Sequence, residues 1–132
     1  MFTSDSDTAS PADARKLALS YLRVHCPDAD VEAVQIVLSE LVTNAVRHTV
    51  TGSWSLDLRY DNSHGDGIGL LTLRVHDRDI RLPRQRDDSS IGWHPLDGRG
   101  GLGLLLVQKL TDQVGVERTR NGKTITVQWK LA

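Results

Sequence analysis

Apolar residues recur first at helical spacing and then, from Trp54 onward, largely at every second position, so a helical beginning gives way to a strand-rich remainder. Ala14, Leu17, Ala18, Tyr21 and Leu22 form one apolar stripe and predict a first helix. Ser10 stands at its N-cap, Pro11 at its first helical position, and Asp13 places negative charge in its first turn, while Pro27 closes it. A second helix, capped by Asp28 or Asp30, carries Val31, Val34, Leu38, Leu41, Val42 and Ala45 and ends near His48, before Gly52. Trp54, Leu56, Leu58 and Tyr60 then alternate with Ser55, Asp57 and Arg59, which predicts a strand with one wet face. Across a turn containing Asn62, Gly65 and Gly67, Leu71, Leu73 and Val75 make the second arm of a hairpin.

A long polar segment follows as far as about Arg99 and leads into the apolar helix LLLVQKL. Segments 114–119 and 124–131 read as two more strands around Asn121 and Gly122, with Ile125, Val127, Trp129 and Leu131 alternating with Thr124, Thr126, Gln128 and Lys130. This order packs as an α+β two-layer sandwich, with helices on one face of a mixed, mainly antiparallel sheet. Residues 1–9, rich in Ser, Thr and Asp, read as a flexible N-terminal arm, and 10–132 as a single domain. The stretch from about 77 to 100 offers little to a core and reads as a lid.

Composition narrows the options further. A chain of 132 residues is one domain's worth and can bury roughly two-thirds of its unfolded surface. The net charge of -1, with both signs spread along the chain, gives no general attraction to nucleic acid or to an anionic membrane. Cys26 has no second cysteine to pair with, and no N-terminal apolar run resembles a signal peptide or a membrane span, so a cytoplasmic protein is the expectation. His25, His48, His64, His76 and His94 lack paired ligand spacing, which argues against structural zinc.

Three stretches carry candidate chemistry. In LSELVTNAVRH, Glu40 and Asn44 are one helical turn apart, so a carboxylate and an amide project from one side. Such a pair suits a metal ion beside a water that needs a base, although alone it reads more simply as a solvated face. Asp77 ends the second strand and heads the polar segment, whose Arg81, Arg84 and Arg86 read as solvated loop residues. Gly98, Gly100, Gly101 and Gly103 precede the apolar helix, where missing side chains let an anion reach backbone N–H groups at the positive end of the helix dipole. A plain turn is the alternative, since neither the Walker A pattern nor a strand immediately before the glycines is present. Trp54 and Trp129 read as core, and Trp93 as a partner anchor or a residue folded onto the domain.

In this order LSELVTNAVRH, VHDRD and GRGGLGLLLV resemble the GHKL ATPase superfamily, the fold shared by gyrase, heat-shock chaperones and histidine kinases. More closely the chain resembles the stand-alone anti-sigma-factor serine/threonine kinases, from about Pro11 to Leu131, with GKTITVQW similar to their final strand. The resemblance implies a Bergerat-type ATP-binding fold with ATP and Mg²⁺ as cofactors. It implies Asn44 as the Mg²⁺ ligand and Glu40 as general base or orienter of the attacking hydroxyl. It implies Asp77 as acceptor of the adenine amino group, supported by Thr124, and Gly101 and Gly103 as a phosphate cradle, with Gly98 and Gly100 as another register. Arg99 would reach a phosphate from the lid, and His48 matches a helix-ending histidine with a structural role. The implied partners are a sigma factor and an anti-anti-sigma protein of the STAS type, and such relatives commonly form homodimers. One departure stands out: the family's DxGxG reads Asp77, Arg78, Asp79, Ile80, Arg81 here, so both glycines are replaced. It motivates a second expectation, a binding module with little or no kinase activity.

Overall fold

The computed structural model describes residues 1–48, 52–62, 67–78, 92–95 and 102–131. In these, nine elements follow one another: β1 (Phe2–Asp5), α1 (Pro11–His25), α2 (Val31–His48), β2 (Trp54–Asp61), β3 (Gly69–Asp77), β4 (Gly92–Pro95), α3 (Leu102–Leu110), β5 (Gln113–Thr119) and β6 (Gly122–Leu131). The strands form one sheet in the order β1-β2-β3-β6-β5-β4, and every pairing among the described residues is antiparallel. The helices cover one face, as the alternation in the sequence requires.

The starts of α1 and α2 follow from local chemistry. The Ser10 hydroxyl accepts the Asp13 amide while the Asp13 carboxylate accepts the Ser10 amide, a reciprocal cap with Pro11 in the first turn. At α2 the open choice resolves to Asp30, whose Oδ1 accepts the Ala33 amide at 3.1 Å. Ala14, Ala18 and Leu22 of α1 and Val34, Val37, Leu38, Leu41, Val42 and Ala45 of α2 are buried against Leu56, Leu58, Leu71, Leu73, Val75, Ile125, Val127 and Trp129 of the sheet. Leu17, expected in the α1 stripe, is instead 51% exposed. The small Ala14 and Ala18 make the contact, and Leu17 falls at the stripe's margin.

Polar links lock the layers together. The Tyr60 amide donates to the Tyr21 hydroxyl at 3.0 Å, which joins β2 to α1. The Trp129 indole N–H donates to the Leu110 carbonyl at 2.7 Å, filling one of the acceptor sites that a helix C-terminus leaves open. Cys26 is a buried free thiol at the C-cap of α1, and burial pushes its pKa up, so it packs as a small apolar group.

Two expectations change. Residues 2–5 are not a loose arm: β1 pairs with β2 in the register Phe2↔Leu58 to Asp5↔Ser55, and the Ser6 amide donates to the Trp54 carbonyl. Phe2 stands 6.5 Å from the Tyr21 ring and Ser4 is buried, so backbone pairing and one aromatic hold a segment whose composition is polar. The Asp5 carboxylate then caps the following turn by accepting from the Asp7 and Thr8 amides. Within the segment read as a lid, Gly92–Pro95 is the edge strand β4 on β5. The rest of that segment from 79 onward lies outside the described residues.

Candidate functional site

Alternation along β3 decides which of its residues meet the helix layer. Leu71, Leu73, Val75 and Asp77 are buried in phase, whereas Thr72, Arg74 and His76 are on the opposite face. Asp77 therefore carries its carboxylate into the covered side at the end of a central strand, and it is only 3% exposed. A carboxylate there needs a compensating cation or hydrogen-bond donors.

Among the described residues Lys123 supplies a cation. In the β3–β6 register Asp77 faces Lys123, whose Nζ lies 3.7 Å from Asp77 Oδ2, the lysine side chain being 23% exposed. Gly122 makes this approach feasible. Its φ is +146°, and a Cβ at that position would run into the Asp77 carbonyl, so only glycine lets β6 begin so close to the end of β3.

Connectivity brings the motif on α2 to the same end of the sandwich. Asp77 pairs with Trp54, and Trp54 follows α2 after a short connection, so the half of α2 that carries Glu40 and Asn44 approaches the Asp77 end of the sheet. The Trp129–Leu110 bond pins the C-terminus of α3 to β6 where that strand pairs with Leu71, at the end of the sheet away from Asp77. α2 packs against β3 and α3.

Individual placements follow. Glu40 and Asn44 are half-buried on α2. Glu40 lines a shallow cavity of about 340 Å³ with Arg15, Glu32, Gln35, Ile36 and Ser39, and Asp77 is not part of its lining. Gly103 lies in the first turn of α3, while Arg99 and Gly101, with the alternative glycines Gly98 and Gly100, lie outside the described residues. Asp79 and Arg81 of the altered motif are outside them too. Thr124 does not join Asp77. It sits on the opposite face of β6, where its hydroxyl bonds His76 Nδ1 at 2.9 Å beside a cavity of about 350 Å³ lined by Ser4, Asp5, Asp57 and Arg74 among others.

On the final strand it is Lys123, not Thr124, that shares the covered face with Asp77. The signal was available: Ile125, Val127 and Trp129 are buried, and stepping back by two leads to Lys123, not Thr124.

The residue types suit a nucleotide in part. A buried carboxylate is a strong acceptor for an amino group on a base edge. Among the described residues no group of three or more His, Cys, Asp or Glu side chains could hold a metal ion. A cation here would take the Asn44 amide oxygen and draw its remaining ligands from phosphates and water, which is how Mg²⁺ is commonly held.

A family model described as a histidine kinase-like ATPase domain matches residues 4–129 of the chain. No curated protein matches it.

Proposed function

Since the chain belongs to the histidine kinase-like ATPase family, which brings ATP binding with a regulatory role, we propose that it is an anti-sigma-type protein serine/threonine kinase. In this reading it phosphorylates an anti-anti-sigma partner of the STAS type and, when that partner is modified, sequesters a sigma factor in the cytoplasm. No helix among the described residues is long and apolar enough to cross a membrane. The observation that carries the nucleotide reading is the burial of Asp77 on the covered side of a central strand.

When bound, Mg-ATP supplies the phosphoryl group. Asp77 accepts a hydrogen bond from the adenine amine and orients the base. Asn44 gives an amide oxygen to the cation without adding charge, and Gly103 leaves backbone uncovered at the start of α3. Glu40 takes the proton of the attacking hydroxyl as that oxygen bonds to the γ-phosphorus and the bond to the departing ADP breaks. Positioning and electrostatics supply most of the acceleration in such a transfer.

Two measurements test this. Calorimetry with Mg-ATP comes first, and absence of binding at millimolar nucleotide ends the kinase reading. Incubation with labelled ATP and the partner protein comes second, with label that disappears in Glu40→Ala. The runner-up is a binding module without transfer, favoured by the replacement of both DxGxG glycines by Asp79 and Arg81. It predicts nucleotide or partner binding with no label transferred.

A further inference from the structure

We propose that the cavity of about 350 Å³ on the open face of the sheet binds a small zwitterion, a free α-amino acid, with Arg74 at its carboxylate and Asp57 at its ammonium. The site is on the face away from the helices and is independent of the ATP reading. Three observations carry it.

First, two opposite charges stand across from each other and are not joined. Asp57, half-buried on β2, and Arg74, exposed on β3, are cross-strand partners, a position where opposite charges ordinarily pair. Among the described residues neither forms an ion pair, whereas on the same face Arg59 reaches Asp61 at 3.9 Å. Second, the same two side chains line one cavity, together with the hydroxyl-bearing Thr3, Ser55 and Thr124 and with His76. Its volume is at the small end for ligand pockets, and a lining of charges and hydroxyls suits a small polar molecule. The other acid on the rim, Asp5, is already engaged, because its Oδ1 accepts from the Asp7 and Thr8 amides and the Thr8 hydroxyl. Third, the wall carries a fixed imidazole. Thr124 bonds His76 Nδ1 at 2.9 Å, which leaves Nε2 without a hydrogen-bond partner among the described residues.

The chemistry follows from the spacing of the two charges. An α-amino acid bears its ammonium and its carboxylate on one carbon, so one small molecule can meet a guanidinium and a carboxylate that face each other on neighbouring strands. Arg74 donates paired N–H groups to the ligand carboxylate, and Asp57 accepts from the ligand ammonium. His76 Nε2 and the hydroxyls are left for the ligand's own side chain, which makes L-serine the probe. Water and salt weaken contacts between partly exposed charges, so the dissociation constant is expected in about the millimolar range.

The test is an NMR titration of the full chain, read from its backbone amide shifts, with three probes. These are L-serine, N-acetyl-L-serine, which lacks the ammonium, and L-serinamide, which lacks the carboxylate. The wild type is expected to bind L-serine with shifts centred on Ser55, Asp57, Arg74 and His76, and to bind each analogue about tenfold or more weakly, the loss of one charged contact. Arg74→Gln is expected to lose the preference over L-serinamide and to keep that over N-acetyl-L-serine. Asp57→Asn is expected to do the reverse. Side chains that only shape the wall would lower the affinity for all three probes together and leave the ratios unchanged, which would overturn the proposal. Equal binding of the three probes by the wild type, shifts centred elsewhere on the molecule, or no saturable shift with L-serine up to about 50 mM would each overturn it too, whether or not the variants fold.

Discussion

The two faces of the sheet use neighbouring residues of the same two strands for opposite ends. On the covered face Asp77 stands opposite Lys123, buried, where an ion pair is little screened by water. One residue back on β3 and one forward on β6, His76 stands opposite Thr124 on the open face and shares a hydrogen bond with its hydroxyl beside two shallow cavities. The register is shared and the chemistry is not. A step of one residue on a strand is a change of solvent, and in this protein that step separates a candidate base-reading group from an ordinary surface contact.

The largest effect expected from this contrast is on stability. Leu73 is fully buried, and Leu73→Ala should cost about 2–5 kcal/mol in urea unfolding. Thr72 beside it faces the other way and accepts a 3.3 Å hydrogen bond from Gln128, so Thr72→Ala should cost less than about 1 kcal/mol. Similar losses at the two positions would mean that the open face is covered in solution.

Next in size is the effect on nucleotide affinity. Asp77→Asn removes a charged acceptor and should weaken ATP by roughly 1.5–3 kcal/mol, about tenfold to a hundredfold, in calorimetry. Thr124→Val breaks the link to His76 and should leave ATP affinity unchanged. A loss at Thr124 equal to that at Asp77 would return Thr124 to the base site and break the contrast at its centre.

Much of the fold was legible because helical and alternating periods do not overlap in this chain. α1, α2, the β2–β3 hairpin and the β5–β6 hairpin all stand where the pattern placed them. Strands β1 and β4 were not legible, and both are edge strands of four residues. An edge strand is held by backbone bonds to its neighbour, and these leave little trace in side-chain composition. At the candidate site Asp77 was readable from its strand, whereas Thr124 was chosen by motif resemblance against the chain's own alternation. The period of two was the better guide, because it reports which side of the sheet a residue faces.

A smaller effect separates a solvated carboxylate from the buried one. Ser10→Ala removes the cap of α1 and should cost about 1 kcal/mol in thermal or urea unfolding. Asp13, fully exposed, is held below its ordinary value of 3.8 first by its bond to the Ser10 amide and then by that to the Ser10 hydroxyl. A carboxyl whose folded value is depressed adds stability that is present above its unfolded value and is lost as pH falls through the folded one. The wild type should therefore lose this contribution on acidification from about pH 4 downward, while Asp13→Asn, which has no proton to take up, should lack that part of the slope. Urea midpoints compared at about pH 7 and about pH 2.5 measure it: the two proteins should differ slightly at the higher pH, and the difference should narrow at the lower. A difference that does not narrow at all would mean that the Asp13 side chain supports α1 through packing or shape, because a contribution from charge must fall as the carboxyl takes up its proton.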